Sequence, residues 1–287
     1  MSLKEILRDG FDYPLKNWNI FVIIGIIYLI ADTPNILSKL GVIPLSPSFL
    51  SAEWIIFIIA TITALIFALL LEGYVLSILR DTINNISELP PLKVVENIIL
   101  GIKGTFVAIV YYLIPTIITA IIGIISLYGS LVKILPAIMK YGAQYANYVP
   151  QDLLINFIVG FGVTLLIGVI LFIITSLIAT IAVCRLTKYD SIGQAFKIRE
   201  ILKDIRKIGW GRYIGYLIVS GIIAFVITVI FSLIFVLFGI IGTIIQTFLV
   251  NTYIIIFQYR ILGSIYKLSE DENEPYIDNN YGFVKDN

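Results

Sequence analysis

Long runs of apolar residues, interrupted by short polar stretches, organise the chain from end to end. Crossing the ~30 Å hydrocarbon core of a bilayer takes ~20 mostly apolar residues as helix, because the backbone must satisfy its own hydrogen bonds where no water can. The runs reach that length and predict an all-α integral membrane protein with six transmembrane helices at about 18–38, 54–79, 105–127, 153–183, 213–237 and 239–259. The last two come from one stretch, Tyr213 to Phe257, with no charge over 45 residues. That is too long for one span and suits two, joined by a tight turn near Gly239 to Gly242. Pro34 predicts a kink in the first span, and the second, fourth and sixth each end at an Arg: Arg80, Arg185 and Arg260.

Between the spans the pattern changes to one-sided. Ser2 to Phe11 reads as a short amphipathic helix with Ser2 as N-cap and Glu5 as its capping-box partner, followed by Trp18 as an interfacial anchor. Leu92 to Lys103 places Leu92, Val95, Ile98, Ile99 and Ile102 opposite Lys93, Glu96, Asn97 and Lys103. Asp190 to Ile208 sets Ile192, Ala195, Phe196, Ile201, Leu202, Ile205 and Ile208 against Lys197, Glu200, Lys203, Asp204 and Lys207. Such faces suit helices lying in the headgroup plane. The stretch Leu71 to Thr116 contains the whole unit: helix end, Arg, polar turn, amphipathic segment, next helix. Similar units starting near Leu3, Leu92 and Asp190 predict three parallel hairpin repeats, each preceded by a cytoplasmic amphipathic helix. Together they form one transmembrane domain over 1–268. The Tyr-rich segment Tyr128 to Pro150 reads as an outer-surface element with partial helix, and Asp152 as a cap for the fourth span. The tail 269–287, with six acids, is expected to be disordered.

Composition agrees with this layout: 59% hydrophobic residues, 14% charged and a mean hydropathy of +0.99. A net charge of +1 points to no nucleic acid, and the distribution of charge is what informs. Of the 20 Lys and Arg, 17 fall in the segments placed inside and 3 in those placed outside. Under the positive-inside rule this puts both termini in the cytoplasm of a multi-pass cell-membrane protein. No cleaved signal is evident at the N-terminus. One Cys and no His argue against a disulfide, a metal site or a cofactor, and none is expected.

The candidate chemistry lies in polar residues at depth. Gly239, Gly242, Thr243, Gln246, Thr247, Asn251 and Gln258 share one face of the sixth span; Thr61, Ala64, Ala68 and Glu72 form a stripe on the second; Asn156, Gly160, Thr164, Gly168, Thr175 and Ala179 form one on the fourth. Two readings are open. Small residues and amides let helices approach and cross-link them, or these faces meet and line a solute path. Glu72, eight residues before Arg80, lies ~12 Å from it along the helix axis. It is a carboxylate at depth or, if the helix leaves the bilayer near Gly73, an interfacial acid. Arg80, Arg185 and Arg260 read as topology determinants, and with Lys197, Lys203 and Lys207 as candidates for lipid headgroups. Asp32, Glu53 and Asp152 sit at span ends, where capping accounts for them. P-loop, G-x-S-x-G and H-E-x-x-H motifs are missing, as is the P-x-[DE]-x-x-[KR] signature of mitochondrial carriers.

At Gly73-Tyr74, Arg80 and Glu88-Leu89-Pro90-Pro91, leading into Lys103-Gly104, the sequence resembles a prokaryotic membrane family, domain of unknown function 4013. The pattern extends over roughly Leu3 to Ala224. The resemblance implies a polytopic membrane protein and no established activity. The expectation is therefore a non-enzymatic membrane subunit or scaffold for partners or lipids, bound to the bilayer and to a membrane-protein partner or a second copy. The alternative is a small-solute transporter with its path along spans two, four and six.

Overall fold

The computed structural model describes residues 1–43, 48–49, 51–142 and 149–270, and helix is the only regular structure among them. The expected tail beyond Glu270 and residues 143–148 of the Tyr-rich segment lie outside the described residues. Four helical stretches are long and apolar enough to cross a membrane: Ala52–Ile83, Val94–Lys140, Gln151–Tyr189 and Trp210–Lys267. A fifth is added if the bent pair Leu3–Leu15 and Trp18–Ala31 counts as one span. Membrane character follows from this alone.

Helix α1 (Leu3–Asp12) starts as its capping box requires, with the Ser2 hydroxyl accepting from the Glu5 amide and the Glu5 carboxylate accepting from the Ser2 amide at 2.8 Å. Hydrogen bonding from Ser2, its backbone N–H first and its hydroxyl second, holds the Glu5 carboxyl below its ordinary pKa. After a 3₁₀ turn at Tyr13–Leu15, helix α2 (Trp18–Ala31) leaves at 82° to what precedes it, capped by Asn17. The kink expected at Pro34 is a break two residues earlier. Asp32 separates α2 from α3 (Thr33–Lys39), and Pro34 occupies the first turn of α3, where its missing N–H costs nothing.

Helix α4 (Ala52–Ile83) ends in a Schellman motif. Asn85 takes φ +65°, its N–H bonds the Thr82 carbonyl, and the Ile86 N–H bonds the Asp81 carbonyl. Helix α5 (Val94–Tyr141) differs from expectation, for the segment 92–103 forms no separate surface helix. Nothing between Lys103 and Thr105 stops a helix, so one rod runs on, through Pro115 and Pro136 and into the Tyr-rich segment. Helix α6 (Gln151–Tyr189) likewise continues past Arg185. The expected helix 190–208 is two pieces, α7 (Ile192–Ala195) and α8 (Ile198–Ile208), parted at Phe196-Lys197. Ile201, Ile205 and Ile208 are buried while Lys197, Lys203 and Lys207 are exposed.

Gly209 (φ +89°) separates α8 from α9 (Trp210–Phe235). The chain then turns at Val236–Phe238 into α10 (Gly239–Ile245), a π-helical turn at Gln246–Asn251, and α11 (Thr252–Lys267). Gly239 has φ +57° and ψ −127°, a conformation in effect reserved for glycine. Ala224 packs with Val250 and Ile254. Those residues would be ~40–45 Å apart in a straight helix, so the chain reverses where the uncharged stretch is expected to turn.

Packing divides the chain into two compact units: Phe106–Thr180, and the remainder. In the larger unit, α2, α4 and α11 enclose a core of Phe21, Ile24, Ile27, Leu70, Tyr74, Val75, Ile78 and Ile256, into which Tyr13 and Leu89 insert. The same unit holds the tightest helix crossing. A Cβ on Gly73 would fall 1.6 Å from the Asn97 carbonyl oxygen, and one on Gly101 would fall 1.9 Å from that of Leu69. Only glycine lets α4 and α5 touch backbone to backbone there. Phe106–Thr180 is a pair of helical segments joined by small residues. Gly160 sits on the Ser126 carbonyl, Gly168 on Thr119 and Gly123 on Thr164, and the Tyr112 hydroxyl lies 3.0 Å from Ser176 Oγ.

Candidate functional site

Three polar clusters are built inside the larger unit. The first surrounds the turn 84–90. Arg260 of α11, 8% exposed, directs Nε to Asp9 Oδ2 of α1 at 2.5 Å and Nη1 to Thr82 Oγ1 at 3.2 Å and the Ile86 carbonyl at 2.8 Å. Its guanidinium lies 4.3 Å from the centre of the Tyr13 ring. Lys16 donates to the Ser87 carbonyl at 3.1 Å, Tyr13 to that of Glu88 at 2.8 Å, and Tyr74 to that of Pro90 at 3.1 Å. Four backbone acceptors of the turn thus find donors on three separate elements, which a partly buried turn without internal ladder bonds requires. Burial pushes the Asp9 carboxyl up, but the bonds and charges of Arg260 and Lys16 outweigh it and hold the group below its ordinary value. Burial raises the Tyr13 phenol well above its ordinary range.

The second cluster surrounds Arg185. Its side chain, 6% exposed, pairs through Nη1 with Asp204 Oδ2 at 2.6 Å. Nε and Nη2 donate to the backbone carbonyl and side-chain oxygen of Gln194 at 3.3 and 3.2 Å. The Tyr266 hydroxyl also donates to Asp204, at 3.2 Å. Lys188 pairs with Glu270. Arg185, Lys188, Asp204, Tyr266 and Glu270 border a cavity of about 310 Å³, which Lys203 and Lys207 also line.

The third is the seam predicted along the sixth span. Glu72 is half-buried, with Oε1 and Oε2 at 3.3 and 3.4 Å from the Tyr259 hydroxyl. Gln246 donates to Ser232 Oγ on α9, within the same hairpin. Thr247 donates to Asp32 Oδ2 at 3.1 Å, and Lys39 donates to Thr243 Oγ1 at 3.2 Å. Asp32 therefore ties the π-helical turn to the end of α2 instead of capping α3, which has no side-chain cap bond. Asn251 is half-buried at the end of the π-helical turn, and Gln258 is exposed.

The structure does not gather all the sequence candidates. Asn156 is exposed on Phe106–Thr180. The stripe beside it, Gly160, Thr164 and Gly168, meets α5 within the same unit. On α4, Thr61 is exposed and its hydroxyl bonds the Phe57 carbonyl of its own helix, while Ala64 is buried. Arg80 is half-buried, 3.7 Å from Asp81. Arg185 and Arg260 are engaged in internal pairs, whereas Lys197, Lys203 and Lys207 face outward. Sequence reasoning missed the partners Asp9, Asp204 and Tyr259. Asp9 and Arg260 are 251 residues apart, and no local spacing links them.

No curated protein and no solved structure matches the chain. The Gly73 crossing, the Tyr74 bond to Pro90 and the clamped turn account physically for the GY and ELPP residues that carry the family resemblance. The family model described as protein of unknown function (DUF4013) matches residues 56–236, more than half of the sequence, and the chain belongs to that family.

Proposed function

We propose that this is a non-enzymatic multi-pass membrane protein, a membrane subunit or scaffold for partner proteins and lipids, crossing the bilayer six times with both termini in the cytoplasm. The observation that carries this reading is that polar groups at depth are spent on neighbouring helices: Glu72 on Tyr259, Gln246 on Ser232, Thr247 on Asp32. Amides and carboxylates used in this way serve packing.

The 82° turn between α1 and α2 supports a surface helix followed by a span, and the reversal at Gly239 supports two spans in the last apolar stretch. Lys197, Lys203 and Lys207, with Arg199 and Arg206, form the outward face of the α8 region, followed by Trp210 at 44% exposed. That combination suits an anionic headgroup layer. Phe106–Thr180 carries large exposed apolar side chains, Ile124 at 64%, Ile125 at 74% and Leu166 at 61% among them, for lipid or for the helices of a partner or second copy. Purification in mild detergent followed by native mass spectrometry tests the scaffold role. A reproducible partner or dimer is expected, and repeated recovery of a lone monomer would overturn it.

A further inference from the structure

We propose that the cavity beside Arg185 is a binding site for a phosphate group, with the Glu270 carboxylate as its built-in, displaceable occupant. The inference deepens the lipid-facing part of the proposed function by naming the group recognised and the device that regulates it.

The cavity is bounded by three elements distant in sequence: the end of α6, the charged side of α8 and the residues following α11. Its volume of about 310 Å³ reaches the lower end of the range of small-molecule sites, ~300–1,000 Å³. Four cations line it, Arg185, Lys188, Lys203 and Lys207, against three anions, Glu200, Asp204 and Glu270. The net lining charge is thus positive even with Glu270 in place.

The cations are not equally committed. Arg185 is held rigid by Asp204 and Gln194, yet a guanidinium has five N–H donors and those bonds use three. One N–H on each terminal nitrogen remains for a ligand, from a side chain that is 94% buried and needs no ordering. Lys203 reaches Glu200 only at 4.0 Å, along an exposed i,i+3 pair of the kind worth little in water. Lys188 already holds an anionic oxygen, that of Glu270, whose side chain is 34% exposed at the cavity edge. A carboxylate seated there marks where an oxyanion is accepted. Glu270 follows the last turn of α11, bonded by its N–H to the Lys267 carbonyl, so it can swing away without unfolding a helix. A phosphate oxygen then takes its place on Lys188, while the other oxygens reach Arg185, Lys203 and Lys207 as charge-assisted acceptors.

The test uses the full chain in neutral detergent. Inorganic phosphate is titrated against chloride at constant ionic strength and followed by thermal shift. Phosphatidic acid and phosphatidylcholine are compared as adducts by native mass spectrometry. Glu270→Gln, which removes the competing charge, is expected to tighten binding about five-fold, the factor an exposed ion pair of ~1 kcal/mol represents. Lys188→Gln with Lys207→Gln is expected to weaken it about ten-fold, while Lys133→Gln, exposed and outside the cavity, leaves it unchanged. Unaltered far-UV circular dichroism and melting without phosphate show that each variant folds. Response to phosphate and phosphatidic acid alike assigns the site to any phosphomonoester; response to phosphatidic acid alone assigns it to a headgroup, and to phosphate alone to a soluble ligand. Absence of both responses, or equal effects of Lys133→Gln and the double variant, would overturn the proposal. Binding in detergent does not depend on topology, so its failure is separable from that of the six-span, scaffold reading.

Discussion

Replacing Arg260 with Met removes a charge that three acceptors share, while keeping an unbranched side chain that suits the site. Taking one partner from a buried ion pair costs about 3–5 kcal/mol, since the other charge is left unpaired. Asp9 is 26% exposed at its side chain, against 10% for Arg260, and Lys16 Nζ remains 3.4 Å away, so the carboxylate recovers part of its solvation. The Ile86 carbonyl loses its donor as well, a loss of ~1–3 kcal/mol that turn exposure keeps small. A total near ~3 kcal/mol follows. Arg260→Lys, whose single ammonium reaches Asp9 but cannot also span Thr82 and Ile86, is expected to lose about half of that. The assay is reversible unfolding in mixed micelles by sodium dodecyl sulfate, followed by tryptophan fluorescence, with Asp9→Asn completing a double-mutant cycle. The coupling expected is ~1.5–3 kcal/mol. Additive effects, or an Arg260→Met loss below ~1 kcal/mol, would refute the idea that this guanidinium clamps the 84–90 turn to α1 and α11.

Other outcomes follow from the same physics. Asp9 has a lowered folded-state pKa, so its contribution is present above the ordinary carboxylate value and is lost as pH falls through the lower folded value; thermal melts on lowering the pH from 6 should show a steeper loss in the parent than in Arg260→Met, where Lys16 alone still favours the carboxylate. Gly73→Ala would put Cβ 1.6 Å from the Asn97 oxygen, where ordinary contact begins at ~3.3 Å. Because backbone cannot step aside as a side chain can, a loss at or above ~3 kcal/mol is expected in the same unfolding assay. Gly239→Ala meets no neighbour within 4 Å but must hold φ +57° with ψ −127°; a loss of ~1–3 kcal/mol is expected from backbone strain alone, and a neutral result would place the reversal elsewhere.

The apolar helices were legible in the sequence because length and composition decide them: each run is long, nearly free of charge and bounded by polar residues. The capping box at Ser2 and the reversal at Gly239 were legible for the same local reason, one through a three-residue spacing and the other through an uncharged stretch too long for a single span. Residues 92–103 misled, since periodicity reports a face and not a break, and no proline or positive-φ residue separates Lys103 from Thr105. The site was only half visible. Arg185 and Arg260 stood out at span ends, where their regular placement suggested topology, yet each pairs with an acid of another helix, Asp204 and Asp9. Glu72 was visible as a charge at depth, whereas Tyr259, its partner, looked like any aromatic residue of an apolar helix. The stripe on the fourth span leaves packing and a solute path both open in the sequence; Gly160, Thr164 and Gly168 lie against α5, and which helix a stripe meets depends on tertiary fit that composition does not encode.

The central claim, that polar groups at depth are used for helix packing, is tested most directly by cysteine accessibility. Cys184 is replaced by Ser, single cysteines are placed at 72, 246 and 251, and a membrane-impermeant maleimide is applied from each side, with a cysteine at 203 as control. Labelling at 203 from the cytoplasmic side alone, with 72, 246 and 251 unreactive from both, is the expected result. Reaction at 246 or 251, blocked by a small solute, would contradict the claim and replace packing with a water-filled transport path.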